Sequence, residues 1–165
     1  MNPFGERVDT KMRHDAGMNP ETLWWLSIRS HRRGWTIPAK LLKLANFVLF
    51  KAVLPYECEI HKDINLWHRG VATVVHPKTS IGSGASIGHG VTIGGTSTGR
   101  VAVGDNVTVG AGAIFVPRRG ITLTVGDGAI VGAGSVVIHP VDAYDSVAGN
   151  PARSTKSRSI DETTI

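Results

Sequence analysis

Hydrophobic positions through the middle of the chain recur every six residues. Val75, Ile81, Ile87 and Ile93 keep this interval, glycine follows the last three as Gly82, Gly88 and Gly94, and Thr79, Ala85, Val91 and Ser97 stand four places beyond each apolar residue. The register then jumps by ten to Val103, runs through Val109 to Phe115, and after a second irregular insert returns at Val125, Val131 and Val137. A six-residue period matches neither the 3.6 of a helix nor the alternation of a half-buried strand. It predicts the hexapeptide coils of a parallel β-helix. In VGDNVT, VGAGAI, VGDGAI and VGAGSV the first residue points into a narrow shaft and the fifth packs beside it. The fourth place holds Gly84, Gly90, Asn106, Gly112, Gly128 and Gly134, residue types that turn a corner at positive φ without a steric penalty. Each buried Val or Ile contributes roughly 1.5–3 kcal/mol, and because a coil is covered only by its neighbours, stability comes from stacking.

The flanks follow other patterns. ETLWWLSIRSHRR, from Glu21 to Arg33, predicts a helix with Leu23, Trp24, Leu26 and Ser27 on one side, a basic last turn suited to the helix dipole, and Gly34 as its end. Pro38 opens a second, PAKLLKLANFVLFKAV, with Leu41, Leu42, Ala45, Val48 and Leu49 at helical spacing and Leu54-Pro55 closing it. The chain thus divides into a flexible N-terminus (1–19), two amphipathic helices (20–55), a β-helix (56–142) and a C-terminal tail (143–165). The second helix is short and carries Lys40, Lys43 and Lys51, so a membrane span is not expected. The two helices are expected to pack on the end of the β-helix or on each other, with peripheral membrane contact as the other reading. Three interruptions of the hexads, His68-Arg69-Gly70, residues 96–102 and residues 117–122, are where a rigid solenoid would project its chemistry.

A chain of 165 residues suits one compact unit with a small appendage. Its net charge of +5 accommodates an anionic ligand, but no basic cluster interleaved with aromatics runs through the repeats, so nucleic acid is not an expected partner. Cys58 is the single cysteine and cannot form an internal disulfide, and the polar N-terminus lacks an apolar signal core. Both point to a cytoplasmic protein.

LPYECEIHKDINLWHRGVATVVHPKTSIGSGASIGHGVTIGG, followed by VGAGA, VGAGSVV and AGNPAR, resembles the serine acetyltransferase branch of the hexapeptide acyltransferases. The similarity runs over about residues 20 to 154 and is strongest to the short members of the exopolysaccharide or colanic-acid type. It implies a left-handed parallel β-helix with three hexads per coil, a homotrimer with active sites between subunits, acetyl-CoA as donor and a hydroxyl as acceptor. On the matching positions, His68 becomes the general base and Glu59, with Glu57 as the fallback, the acid that orients it. An alcohol attacks a thioester poorly until a base takes its proton, and imidazole does this near neutral pH. The resemblance further places Gly95 and Thr96 near the thioester and Gly110-Ala111 and Gly132-Ala133 along the pantetheine arm. Small residues there admit close approach, and a backbone N–H from this region could hold the oxyanion. Arg153, in the PAR motif, is the favoured partner of the CoA phosphates, with Arg118, Arg119, Lys156 and Arg158 as further cations. His76 and His89 lie inside regular hexads, as structural or interface residues or as second active-site groups; His61 is read as a turn residue. No ligand spacing or cysteine partner supports a metal site.

Two departures bear on the acceptor. Relatives acting on serine carry an acidic residue just before the catalytic histidine, where this chain has Trp67. They also carry an Arg-His-Pro step in the loop after the TIGG segment, where this chain offers only Arg100. Trp67 presents a flat apolar face suited to a sugar ring, so the expected acceptor is a sugar or polysaccharide precursor, with Trp67 and Arg100 contacting it. L-Serine is the alternative, and the terminal Ile165 resembles the tails that dock into cysteine synthase. A catalytically decayed scaffold that uses its helices to bind partners is the second alternative.

Overall fold

The computed structural model describes residues 19–156; the expectations that fall on residues 1–18 and 157–165, among them Arg158 and Ile165, lie outside them. Helix α1 spans Pro20–Arg32 and begins as its sequence requires: the Asn19 side chain accepts the Thr22 N–H at 2.9 Å, Pro20 takes the first turn, and Arg29, His31 and Arg32 fill the last. Helix α2 spans Thr36–Phe50, starting before Pro38 and stopping short of Val53, with Lys51 in the left-handed region at φ 56°. Val53 is drawn off into the first coil instead: its N–H donates to Thr73 O at 2.9 Å and its carbonyl accepts from Val75 N at 3.0 Å.

The buried faces of the helices differ from the expected ones. In α2 the core side is Ala39, Asn46 and Phe50, with Leu42 and Ala45 partly covered, while Leu41, Val48 and Leu49 face outward. In α1 Ile28 takes the inward place and Leu26 is exposed. Ala39 and Asn46 are small enough to bring the helices together, and Asn46 Nδ2 donates to Pro20 O at 3.3 Å. The pair caps the solenoid through α1. Trp24, fully buried, donates its indole N–H to Pro55 O at 2.7 Å, and the buried Glu21 carboxylate accepts the Leu66 N–H at 2.7 Å. That N–H lies on the first coil and has no preceding strand to pair with, so the helix supplies what a missing coil would.

From there the chain winds as a three-sided parallel β-helix. The first face stacks β1 (Glu59–Ile60), β4 (Thr79–Ile81), β7 (Arg100–Val103) and β10 (Thr122–Val125). The second stacks β2 (Asn65–Leu66), β5 (Ser86–Ile87), β8 (Thr108–Val109), β11 (Ile130–Val131) and β13 (Ser146–Gly149), closed by the antiparallel β14 (Ala152–Ser154). The third stacks β3 (Val74–Val75), β6 (Thr92–Ile93), β9 (Ile114–Phe115) and β12 (Val136–Val137). The hexad residues form the inner columns: Ile60, Ile81, Val103 and Val125; Leu66, Ile87, Val109, Val131 and Val147; Val75, Ile93, Phe115 and Val137. Beside them Thr79, Ala85, Val91, Val107, Ala113 and Ala129 are buried; Ser97 alone of the expected four is exposed, because it belongs to the first insert.

Every expected corner residue has positive φ, Asn106 at 54° among them. The solenoid also runs past residue 142. Val141 bridges to Val125, and β13 pairs with β11 in register. The corner before β13 is taken by Tyr144 at φ 58° rather than by glycine, and this hides the last coil from the hexad pattern.

Candidate active site

The three-residue interruption after Leu66 folds into a tight turn, Trp67–Gly70, at the edge between the second and third faces. His68 (φ 52°, ψ 38°) and Arg69 (φ 58°, ψ 28°) are both left-handed, and Gly70 and Ala72 continue at positive φ. A left-handed conformation costs a non-glycine residue roughly 1–2 kcal/mol, and such strain gathers at functional positions. The turn holds His68 out at the edge, exposed, with Trp67 half-exposed beside it.

Register places the other candidates of this edge. His68, His89, Ala111 and Ala133 each stand two residues beyond an inner residue of the second face, at Leu66, Ile87, Val109 and Val131. They therefore form one column up a single edge. The rings of His68 and His89 meet edge to face with centroids 5.0 Å apart. Above them the edge is bare: added Cβ atoms at Gly112 and Gly134 would meet nothing within 4 Å. At the far end Arg153 lies on β14 opposite Ala148, two strands beyond Ala133, and lines a recess of about 400 Å³ with His139, Asp142 and Asp145. At about 4.8 Å per strand, His68 and Ala133 are roughly 14 Å apart along the edge. Beyond His89 the edge carries only the methyl groups of Ala111 and Ala133 and fits a long thin ligand, and CoA has that form; the Arg153 recess, shared with Asp142 and Asp145, lies past its end.

The remaining candidates lie on the first face, where Glu59 points outward, and along its edge with the third. Glu59 and Arg100 share a cleft of about 420 Å³ with Glu57 and Lys78. Gly95 backs onto the His76 ring, where a Cβ would come within 2.2 Å of Cγ and Nδ1; His76 Nδ1 accepts the Lys78 N–H at 3.2 Å. Thr96 closes the first insert by accepting the Gly99 N–H at 2.7 Å. Lys78, which nothing in the sequence pattern singles out, donates to Ser97 O. The second insert lies directly on the first. Gly120 N–H donates to Thr98 Oγ1 at 3.0 Å and Arg100 Nε to Thr122 Oγ1 at 3.2 Å. Arg118 and Arg119 are exposed on it. Among the described residues His68 and Glu59 are not hydrogen-bonded to each other; within one chain they stand apart.

The third edge is structural. Asp63 accepts from Ser83 Oγ at 2.8 Å and from Gly84 N at 3.1 Å and pairs with His61. Asp105 accepts the Ser83 N–H at 2.7 Å, and Asp127 the Asp105 N–H at 2.8 Å. Desolvation pushes the Asp63 carboxyl up, but the bonds from Ser83, His61 and Gly84 outweigh it and hold its pKa down at about 2. Cys58 is buried with its Sγ donating to His76 O at 3.3 Å, and burial pushes its thiol up to about 12, which leaves no thiolate at neutral pH. Among the described residues no three His, Cys, Asp or Glu side chains converge as a metal site.

No protein-family model matches the chain, and no curated protein does. Solved structures do. A serine acetyltransferase in complex with CoA is 29% identical, with a TM-score of 0.72, over 82% of this chain and 55% of that one. The serine acetyltransferase of Neisseria gonorrhoeae in complex with serine is 27% identical, TM-score 0.74, over 81% and 54%. The soybean serine acetyltransferase apoenzyme is 31% identical, TM-score 0.74, over 82% and 55%. The chain therefore spans about half the length of the solved serine acetyltransferases it matches, and it shares their fold.

Proposed function

We propose that the chain is an acetyl-CoA-dependent O-acetyltransferase, with His68 as general base at a site completed by a neighbouring copy. The observation that carries this is the single-edge column from His68 through Ala111 and Ala133 toward Arg153. The base would take the proton of the acceptor hydroxyl as its oxygen attacks the thioester carbonyl. Collapse of the tetrahedral intermediate would break the C–S bond and release CoA, its sulfur taking up the proton. Gly95 and Thr96 would serve the thioester end, Ala111 and Ala133 the pantetheine arm and Arg153 the phosphates. The solved serine acetyltransferase with CoA bound supports the donor.

Glu59 on the first face, and Arg100, Gly95 and Thr96 along its edge with the third, lie away from His68, so they would reach it from the neighbouring copy in a homotrimer. The outward positions of the third face support such packing. Val74, Thr92, Ile114 and Val136 stand in register with no charge among them, whereas the first face turns out Glu59, Ser80, Ala102 and Thr124.

For the acceptor, the half-exposed Trp67 beside His68 favours a sugar or polysaccharide precursor. Serine is the second reading, supported by the structures that carry it in a complex. Thiol release from acetyl-CoA, offered L-serine and a panel of sugars and nucleotide sugars, tests both. A His68→Ala variant that retained wild-type rates would sink the base assignment; the expected loss is about 10²–10⁴-fold. Serine-dependent release would decide against the sugar.

A further inference from the structure

Helix α2 carries a second apolar face that the fold leaves bare. Ile37, Leu41, Leu44 and Val48 follow at steps of four, three and four, which is one stripe of a helix. The stripe lies opposite the buried Ala39 and Asn46, and its exposure is not marginal: Ile37 is 71% and Leu41 61% accessible. Contiguous large aliphatic residues facing water mark a surface that something covers.

The charge around the stripe says what. Six of the eighteen Lys+Arg and none of the thirteen Asp+Glu lie between Thr22 and Tyr56. With the buried Glu21 of α1 counted, the helical cap carries a net charge of +5, equal to that of the whole chain. Lys40 and Lys43 lie on one flank of the stripe, and Lys51 follows at the C-terminal end of the helix. We propose that this end of the molecule docks on an anionic lipid surface. Helix α2 lies in the plane of the headgroups, with Ile37, Leu41, Leu44 and Val48 in the acyl boundary and the flanking lysines on acidic headgroups. The helix lies on the bilayer rather than through it: it has 15 residues, and no described helix is long and apolar enough to cross a membrane. A second copy seated stripe to stripe would bring the two sets of lysines together, so like-charge repulsion opposes that occupant.

Co-sedimentation of the full chain with vesicles tests the proposal, comparing phosphatidylcholine alone with phosphatidylcholine and phosphatidylglycerol in equal parts. Binding is expected only to the mixed vesicles and should weaken as salt is raised. Lys40→Glu with Lys43→Glu should lower partitioning about tenfold or more, and Leu41→Ser with Leu44→Ser should do the same. Lys40, Leu41 and Leu44 are exposed and Lys43 is half-buried over the Tyr56 ring, outside the core, so circular dichroism should show both variants folded. No binding to mixed vesicles, or binding that both variants keep, overturns the proposal. So does an assembly of the wild-type chain that the leucine variant dissolves while vesicle binding is unchanged, since the stripe would then join copies.

Discussion

At the scale of single residues, the site depends on close backbone approaches that leave no room for a methyl group. Gly95 is the clearest case, because the His76 ring occupies the place a Cβ would take. Gly95→Ala should push that imidazole off the Lys78 N–H and destabilise the fold by about 1–3 kcal/mol, read from urea denaturation midpoints. Asp63 predicts a pH effect. Its carboxyl titrates at about 2 in the folded chain against an ordinary 3.8. The stability it contributes is therefore fully present above pH 3.8 and lost as pH falls toward 2. Thermal melts across that window should show a steep loss in the wild type and a flatter one in Asp63→Asn. The column of His68, His89, Ala111 and Ala133 was legible in the sequence as the second place past successive inner hexad residues, while its role toward a donor rests on the family resemblance. The position of Glu59 was not: nine residues separate it from His68, and which face or edge each occupies depends on how the interrupting turn after Leu66 folds.

At the scale of elements, the strands were legible wherever glycine or asparagine takes the corner, and became illegible where Tyr144 does. The helices were harder to read for a different reason. Helix α2 is apolar on two opposite sides, so periodicity alone does not say which side meets the core. Glu21, absent from any motif, joins the two parts of the molecule by accepting the Leu66 N–H. Glu21→Ala leaves a buried donor without a partner and should cost about 1–3 kcal/mol. Hydrogen exchange would locate the damage: the Leu66 amide and α1 should lose protection while strands β8 and β11 keep theirs.

At the scale of the whole molecule, the proposed pairing of His68 with Glu59, which stand apart within one chain, would make assembly a condition of activity. Mixing inactive His68→Ala and Glu59→Ala chains, after unfolding and refolding together, should restore activity to at most about a quarter of wild type if each site draws on two copies. Refolding either variant alone should restore none, and a mixture as inactive as its parts would put both residues in one chain. The solenoid also acts as a ruler. Because each coil advances the edge by one strand spacing, about 4.8 Å, the distance from His68 to Ala133 is counted in whole coils. A change in loop length cannot alter that distance; only the gain or loss of a complete turn can. The inserts are thus free to vary in length while the spacing along the His68 edge stays fixed.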